Sequence, residues 1–142
     1  MTILILSNAH DAHVNFVIPT LDNRKLDYKI LYTDQYLTNF SMESHISNKE
    51  IQHRIADLHV DNITSIWYRR PNLPEITCEN PLYKAYIADE VEGYTTFMMN
   101  SMQNKFWVSY PACIELARNK IAQLTTARNL GLRIPDTLIT TN

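Results

Sequence analysis

Two adjacent arginines follow an apolar run and are the first residues in the chain with an evident chemical use. Ile63 to Tyr68 has the composition of a buried strand, and Arg69, Arg70 and Pro71 come directly after it. A guanidinium stays charged at every relevant pH and presents a planar fork of donors that fits a carboxylate or a phosphate. The pair therefore predicts recognition of an anion. The alternative is that one arginine forms a structural ion pair with Asp34 or with a carboxylate of a long helix.

Polar residues also follow the other predicted strands. Asp11 comes after the first strand, Asp34 after the second and Ser109 after the last. Ligands of open α/β sheets bind beyond the carboxyl ends of the strands. If the strands are parallel, these ends meet at one edge of the sheet. We then expect Asp11, Asp34, Arg69 and Arg70 to converge on this edge.

Several other kinds of site are excluded by the sequence. Only Gly93 and Gly131 occur, so neither a dinucleotide-binding Gly-x-Gly-x-x-Gly nor a P-loop exists in the chain. The five histidines have no grouping of Cys, Asp or Glu that completes a metal shell, so we predict no metal site. No strained turn such as Gly-x-Ser-x-Gly positions a serine nucleophile, which argues against a hydrolase.

The elements that position these residues alternate between strands and helices. We predict four strands, at Thr2–Leu6, Tyr28–Thr33, Ile63–Tyr68 and Phe106–Val108. We predict three helices: one after Asp11 with Pro19 inside it, one from Asn80 to about Gln103, and one that Pro111 opens and Gly131 ends. Pro19 predicts a kink or a late helix start. Residues Ile134 to Asn142 lead out of the domain, and the whole order predicts an α/β fold with a mostly parallel sheet.

The segment from Phe40 to Val60 fits two patterns. Its first apolar residues alternate as in a strand, whereas Ile51, Ile55 and Leu58 also fit a helical stripe. We favour an antiparallel β-hairpin that turns at Ser47 to Lys49.

Two apolar faces are predicted on the later helices. The long helix has one stripe, formed by Tyr83, Ile87, Val91, Tyr94, Met98 and Met102. The last helix has a buried face, formed by Ile114, Ala117, Ile121 and Leu124. The surplus of aromatic and methionine side chains on the long helix fits either a core or a dimer or interdomain surface.

Length and composition predict one globular domain over residues 1–142. Of these residues 45% are apolar and 20% charged, and the net charge of −2 argues against a nucleic-acid or anionic-membrane binder. The apolar runs are too short for a membrane span, and no basic segment precedes the first of them, so a signal peptide is not predicted. With neither of these segments, a cytoplasmic location is predicted. Cys78 and Cys113 are isolated, which predicts two reduced, partly buried thiols.

Two stretches of the chain resemble the N-terminal, pre-ATP-grasp domain of the ATP-grasp ribosomal peptide maturases, the microviridin or graspetide type with its grasp-with-spasm branch. The first is Ser65 to Pro71, Ser-Ile-Trp-Tyr-Arg-Arg-Pro. The second runs from Trp107 to Asn142 and includes Trp-Val-Ser-Tyr-Pro, Ala-Arg-Asn-Lys-Ile-Ala-Gln-Leu and the segment after Gly131. The pair Thr33 and Asp34 agrees with the same pattern.

The resemblance implies a Rossmann-like, three-layer pre-ATP-grasp domain, with an ATP-grasp domain after residue 142 in the parent enzyme. That parent would use ATP and Mg²⁺ to phosphorylate Asp or Glu side chains of a precursor peptide and join them to hydroxyls or amines. Lys120 matches the helix lysine that reaches a nucleotide phosphate. Arg69 and Arg70 match paired arginines on the substrate or interdomain side of the cleft. No catalytic or metal-binding residue is implied here, so the chain alone is expected to be inactive and to bind no cofactor tightly.

The partners implied are the C-terminal ATP-grasp domain of the same parent chain, the precursor peptide and a second copy of the chain. One alternative of another class is a stand-alone module that binds a peptide or an acidic ligand through Arg69 and Arg70. A flavodoxin-like domain for a small ligand is less favoured, because the strand-end loops lack the glycines and clustered hydroxyls that a cofactor phosphate needs.

Overall fold

A computed structural model of the chain describes residues 1–141, and the contacts within it form two compact units. These units are Met1–Ser109 and Tyr110–Asn142. Asn142, the end of the predicted exit segment, lies outside the described residues. A single domain over residues 1–142 stays a prediction.

The helices and strands follow one another in an alternating order. In chain order they are β1 (Thr2–Ser7), α1 (Ala12–Asn23), β2 (Tyr28–Tyr32), β3 (Met42–Ile46), β4 (Ile51–Ile55), β5 (Leu58–His59), β6 (Ile63–Tyr68), α2 (Pro81–Ser101), β7 (Phe106–Val108), α3 (Pro111–Arg118) and α4 (Lys120–Asn129). Single 3₁₀ turns occupy Thr33–Gln35 and Val60–Asn62.

The first unit is built on a four-stranded parallel sheet with the strand order β2-β1-β6-β7. Ile5 of β1 lies opposite Ile30 of β2 on one side and Trp67 of β6 on the other. Strand β1 is central, and its Leu4 and Ile5 are completely buried. A strand covered on both faces is apolar throughout instead of alternating, which is the pattern that its sequence shows. The predicted α/β fold with a parallel sheet is confirmed.

The predicted hairpin is also confirmed, in a second sheet of its own. Strands β3 and β4 are antiparallel, with Ile46 opposite Ile51. The turn is held by Ser47, whose backbone N–H donates to the carbonyl of Glu50 at 2.9 Å and whose hydroxyl accepts from the N–H of Lys49 at 3.3 Å. The short strand β5, which was not predicted, pairs with β4 and completes a three-stranded sheet.

Helix α1 begins where the sequence predicts. Asp11 is its N-cap and accepts a hydrogen bond from the backbone N–H of His13. The helix starts at Ala12 and includes Pro19, so the alternative prediction of a late helix start is wrong.

Helix α2 also has its predicted cap, but its predicted stripe is buried only near the end of the helix. The side chain of Asn80 accepts from the N–H of Leu82 at 2.9 Å, and Pro81 occupies the first helical position. Met98 and Met102 are completely buried, whereas Tyr83 is 65% exposed. Residues 81–90 are all exposed, because no element of the first unit covers them.

The core of the first unit joins the parallel sheet, the hairpin and the end of α2. Its buried members are Leu4, Leu6, Leu31, Ile55, Val60, Ile63, Ile66, Met98, Met99 and Met102. Ile55 comes from β4 and is 1% exposed, so the second sheet shares this core. Removing a large buried side chain from such a core costs about 2–5 kcal/mol.

In the second unit, the single predicted helix is wrong. Asn119 has an extended backbone that ends α3, and its side chain caps α4 by accepting from the N–H of Ala122 at 3.1 Å. The predicted buried face is only partly covered, since Ile114 is half-buried and Ile121 is 56% exposed. Two helices with separate caps therefore replace one.

Gly131 ends α4 as predicted. Its φ of +76° lies in the left-handed region that favours glycine. Its N–H bonds the carbonyl of Arg128 at 2.9 Å, and the N–H of Leu132 bonds that of Ala127 at 3.0 Å. This is the Schellman arrangement of a helix end, and residues 132–141 continue from it without a helix or a strand.

The prediction of two reduced, partly buried cysteines is only partly right. Both cysteines are free thiols, and Cys78 is partly buried as predicted, but Cys113 is exposed. None of the helices in residues 1–141 is both long and apolar enough to cross a membrane.

Candidate functional site

The carboxyl ends of β1, β2 and β6 meet at one edge of the parallel sheet, as the sequence predicts. The hydroxyl of Thr33 donates to the carbonyl of Ser7 at 3.1 Å and accepts from the backbone N–H of Asn72 at 2.9 Å. The side-chain amide of Asn8 donates to the carbonyl of Arg70 at 2.7 Å. These three bonds connect the loops that follow the three strands. They make this edge one structural site, which we call the strand-end site.

One of the two predicted arginines is held in an ion pair. Arg69 Nε lies 3.0 Å from Asp11 Oδ2, and the side chains of Arg69 and Asp11 are 26% and 2% exposed. The Nε–H does not point at the oxygen, so neither atom gains a hydrogen bond although the charges are adjacent. The partner is Asp11 and not Asp34 or a carboxylate of α2. The ion pair links the end of β6 to the start of α1.

Asp11 is kept ionised mainly by its own helix. The backbone N–H of His13 donates to Asp11 Oδ1 at 2.9 Å, and this bond lowers the pKa of the carboxyl most. Burial opposes the shift, and the His13 ring and the charge of Arg69 add to the lowering. A carboxyl with a lowered pKa holds no proton near neutral pH, so its role is to pair with a cation and to cap a helix.

Arg70 differs from Arg69 in its surroundings. Its side chain is exposed and forms no ion pair with any described residue. Its φ of +46° turns the chain out of β6 just before Pro71, in a conformation that residues with side chains rarely adopt. The bond from Asn8 to its carbonyl supports this turn. Arg70 is therefore the arginine that is open to an anion from outside.

Asp34 lies in the strand-end site but forms no ion pair with Arg69 or Arg70. Its Oδ2 accepts a long hydrogen bond, 3.4 Å, from the backbone N–H of Ala9. Its Oδ1 is buried and has no hydrogen bond within residues 1–141. Asp34 thus connects the turn after β2 to the loop after β1, and one of its oxygens is left over.

Lys120 belongs to the second unit and is the first residue of α4. Its side chain is exposed, and its ammonium donates to Gln123 Oε1 at 3.0 Å within the same helix. The N-terminus of a helix carries a partial positive charge, so Lys120 adds a full charge where the backbone already favours an anion.

Three contributors to these arrangements were not predicted. They are His13, which bonds Asp11; Asn72, whose N–H bonds Thr33; and Asn119, which caps the helix that begins with Lys120. Asn and Asp are favoured at the N-cap of a helix, because their side chains accept from the backbone N–H two or three residues later. The cap at Asn119 was therefore detectable from the sequence. The Asn72 contact spans 39 residues and has no local signal.

Comparison with known proteins gives one family and several solved structures. Residues 2–115 match the family described as the MvdD pre-ATP grasp domain. The macrocyclase MdnC from Microcystis aeruginosa MRC, solved with precursor peptide MdnA, is 24% identical with a TM-score of 0.87, over 100% of this chain and 48% of that one. The macrocyclase MdnB from the same organism is 25% identical with a TM-score of 0.87, over 99% and 48%.

A third solved structure is more distant in sequence and equally similar in fold. The RiPP-associated ATP-grasp ligase of Chryseobacterium gregarium, in complex with ADP and a leader and core peptide, is 17% identical with a TM-score of 0.87, over 99% of this chain and 44% of that one. The chain thus spans about half the length of the structures that it matches. No curated protein is similar enough to count as a relative.

Proposed function

Because the chain belongs to the MvdD pre-ATP-grasp domain family, we propose that it acts as the N-terminal domain of an ATP-grasp ligase that macrocyclises a ribosomal precursor peptide. The resemblance noted at residues 65–71 and 107–142 is confirmed. The observation that carries the proposal is the family match over residues 2–115, and the likeness to macrocyclases along the whole chain supports it.

The reaction that we propose activates a carboxylate by phosphorylation. A side-chain carboxylate of the peptide attacks the γ-phosphorus of ATP, and ADP leaves. A hydroxyl oxygen or an amine nitrogen of the same peptide then attacks the carbonyl carbon, loses its proton, and phosphate leaves with the bonding electron pair. The product is a macrocyclic ester or amide. A free carboxylate is a poor electrophile, and the phosphate leaving group makes the acyl transfer feasible.

This chain would contribute two cationic contacts to that reaction. Lys120 at the start of α4 fits a nucleotide phosphate, because its ammonium is exposed and joins the positive end of a helix. Arg70 fits an acidic side chain of the peptide, because its guanidinium is exposed and unpaired within the described chain. Arg69, Asp11 and Asp34 would hold the loops of this cleft wall in place.

The described residues do not fit a magnesium site of their own. No group of three or more His, Cys, Asp or Glu side chains in residues 1–141 is placed to hold a metal ion. We propose that the Mg²⁺ ligands and the ATP-grasp fold belong to a C-terminal domain of the same ligase. We also propose that the ligase works in the cytoplasm, where both free thiols stay reduced.

The acyl phosphate gives the proposal a chemical test. A ligase that contains this chain and an ATP-grasp domain, given ATP, magnesium, the precursor peptide and hydroxylamine, is expected to form a hydroxamate at an Asp or Glu of the peptide. Mass spectrometry of the peptide detects the product and its position. Omitting ATP, or changing that residue to Asn or Gln, is expected to abolish it. Release of AMP and pyrophosphate in place of ADP and phosphate would contradict the mechanism.

We propose a dimer surface as a second role, on the exposed face of α2. The apolar side chains concerned, which we call the α2 surface, are Leu82, Tyr83, Tyr86, Ile87 and Phe97, all classed as exposed. Leu82 is 79% exposed and Tyr86 64%. Aromatic and aliphatic side chains on one helix face are typical of contact surfaces.

A charge placed on the α2 surface is expected to prevent dimerisation. In the Tyr86→Glu variant, pairing would bury an uncompensated carboxylate, so the mass in solution falls from twice 16.6 kDa to 16.6 kDa. Sedimentation velocity over a range of concentrations measures it. Ala88→Glu adds the same charge two residues away, on the other side of α2, and is expected to leave the dimer intact. A wild-type chain that stays monomeric at high concentration would remove this role.

A further inference from the structure

The first unit contains a cavity of about 90 Å³ beside the strand-end site. It lies between the ends of the parallel strands, the hairpin and α2. Its lining includes residues 71–74 and the side chains of Leu6, Tyr36, Phe40, Met42, Thr95 and Met99. Its position beyond the carboxyl ends of β1 and β6 is where open α/β sheets bind ligands.

The size and lining of the cavity restrict what can occupy it. A water molecule needs roughly 10–15 Å³ of such space, and an apolar cavity of about 150 Å³ in another protein stays dry and binds benzene. This cavity lies between those limits, and its lining is largely aliphatic, aromatic and methionine side chains. One aliphatic side chain of the size of Val, Leu or Ile suits it, whereas a tryptophan side chain is too large.

Two polar groups indicate that the occupant is part of a peptide: Thr95, which lines the cavity, and Arg70, which precedes a lining residue. Thr95 Oγ1 is buried and forms no hydrogen bond within the described part of the chain, which is unfavourable for a hydroxyl unless a ligand supplies a partner. A peptide backbone offers such a partner beside each side chain. Arg70 immediately precedes Pro71, which lines the cavity, and its exposed guanidinium favours an acidic residue next to the aliphatic one.

We propose that this cavity binds one aliphatic side chain of a peptide, with an acidic residue beside it that reaches Arg70. The peptide backbone then completes the hydrogen bonding of the Thr95 hydroxyl. The site selects a sequence by its apolar side chain. It needs neither ATP nor another domain, so it is testable on this chain separately from the ligase reaction.

The methionines of the chain are built-in reporters for this site. Met42 and Met99 line the cavity, whereas Met98 and Met102 are buried without lining it. With [¹³C-methyl]-methionine protein, the tripeptide N-acetyl-Asp-Leu-Asp-amide is expected to shift the Met42 and Met99 signals in a saturable way and to leave the other two unchanged. Replacing Leu by Ala in the peptide is expected to weaken binding about tenfold or more, because buried methyl and methylene groups are lost. Replacing both Asp by Asn is expected to weaken it less.

Two neighbouring threonines provide matched variants. Thr95→Leu fills the cavity and is expected to abolish the shifts, while Thr96→Leu places the same side chain at an exposed position and is expected to preserve them. Thr95→Val keeps the shape without the hydroxyl and is expected to weaken binding several-fold. Equal binding of the Leu and Ala peptides to the wild-type chain would overturn the proposal even if Thr95→Leu failed to fold. Tighter binding of 3-methylbutan-1-ol than of the Leu peptide would also overturn it, in favour of a small-molecule site.

Discussion

Replacing Lys120 with alanine in a ligase that contains this chain is expected to lower kcat/KM for ATP about 10- to 100-fold, the cost of losing a hydrogen bond to a charged group. Most of the change should appear as a higher KM for ATP, because the ammonium is proposed to bind a phosphate in the ground state. The melting temperature should stay the same, since Lys120 is exposed and its ammonium bonds Gln123 of its own helix. Steady-state kinetics with varied ATP and thermal unfolding measure the two effects.

Two variants separate the charge of Lys120 from the general effect of losing a lysine. Lys120→Arg keeps the positive charge at the start of α4 and is expected to retain most of the activity. Lys49→Ala removes an exposed lysine from the hairpin turn and is expected to change neither quantity. If Lys120→Ala clearly lowered the melting temperature as well as the activity, Lys120 would be a packing residue and the proposed phosphate contact would be wrong.

Replacing Arg69 with methionine is expected to lower the melting temperature of the chain by several degrees, whereas Arg70→Met leaves it unchanged. Removing Arg69 leaves the carboxylate of Asp11 without its counter-charge, although its side chain is only 2% exposed. Arg70 has no such partner in residues 1–141. Both variants replace an arginine with methionine, so thermal unfolding of the two compares a structural arginine with an exposed one.

The Arg69 effect is expected to depend on pH with a definite sign. The pKa of Asp11 is lower in the folded chain than its ordinary value, through the His13 N–H and the charge of Arg69. The stabilisation is therefore fully present above pH about 4, the ordinary pKa of Asp, and is lost as the pH falls through the lowered value. The wild type and Arg69→Met should unfold at increasingly similar temperatures below pH 4. A difference that stayed constant down to pH 2 would contradict the ion pair as its source.

The strands and their capped helices were predictable because their signals are local. β1 and β6 are uninterrupted apolar runs, and Asp11 and Asn80 are capping residues next to a free backbone N–H. The common edge of the strand ends followed from one assumption, that the strands are parallel. Local patterns therefore predicted most of the first unit and the place of its site.

The break between α3 and α4 was missed because periodicity and capping compete there. Apolar residues continue at helical spacing from Ile114 to Leu124, which predicts one helix. The side chain of Asn119 instead bonds the N–H of Ala122, and Asn favours such local bonds over a helix interior. Capping by Asn119 therefore prevails over the helical spacing of the apolar residues, and Lys120 is the first residue of α4 instead of lying in the middle of one long helix.

The contacts that decide the roles of the arginines are long-range and left no pattern in the sequence. Arg69 and Asp11 are 58 residues apart, and Asp34 was an equally reasonable partner by composition. The same limit applies to α2, whose stripe runs along the whole helix although only its last turns are covered. Periodicity shows which face of a helix is apolar, and burial depends on what reaches that face in space.

The central position of β1 has a consequence for how the chain folds during synthesis. β1 leaves the ribosome before both strands that flank it, and one of these, β6, ends only at Tyr68. Until then only one edge of β1 has a neighbouring strand, and the sheet has all four strands only after Val108 is made. Parallel pairing between distant segments is slow, because a long loop must close first. Until Tyr68 is made, the nascent chain thus carries an aliphatic strand with one unpaired edge, and it is there that we expect chaperones to bind.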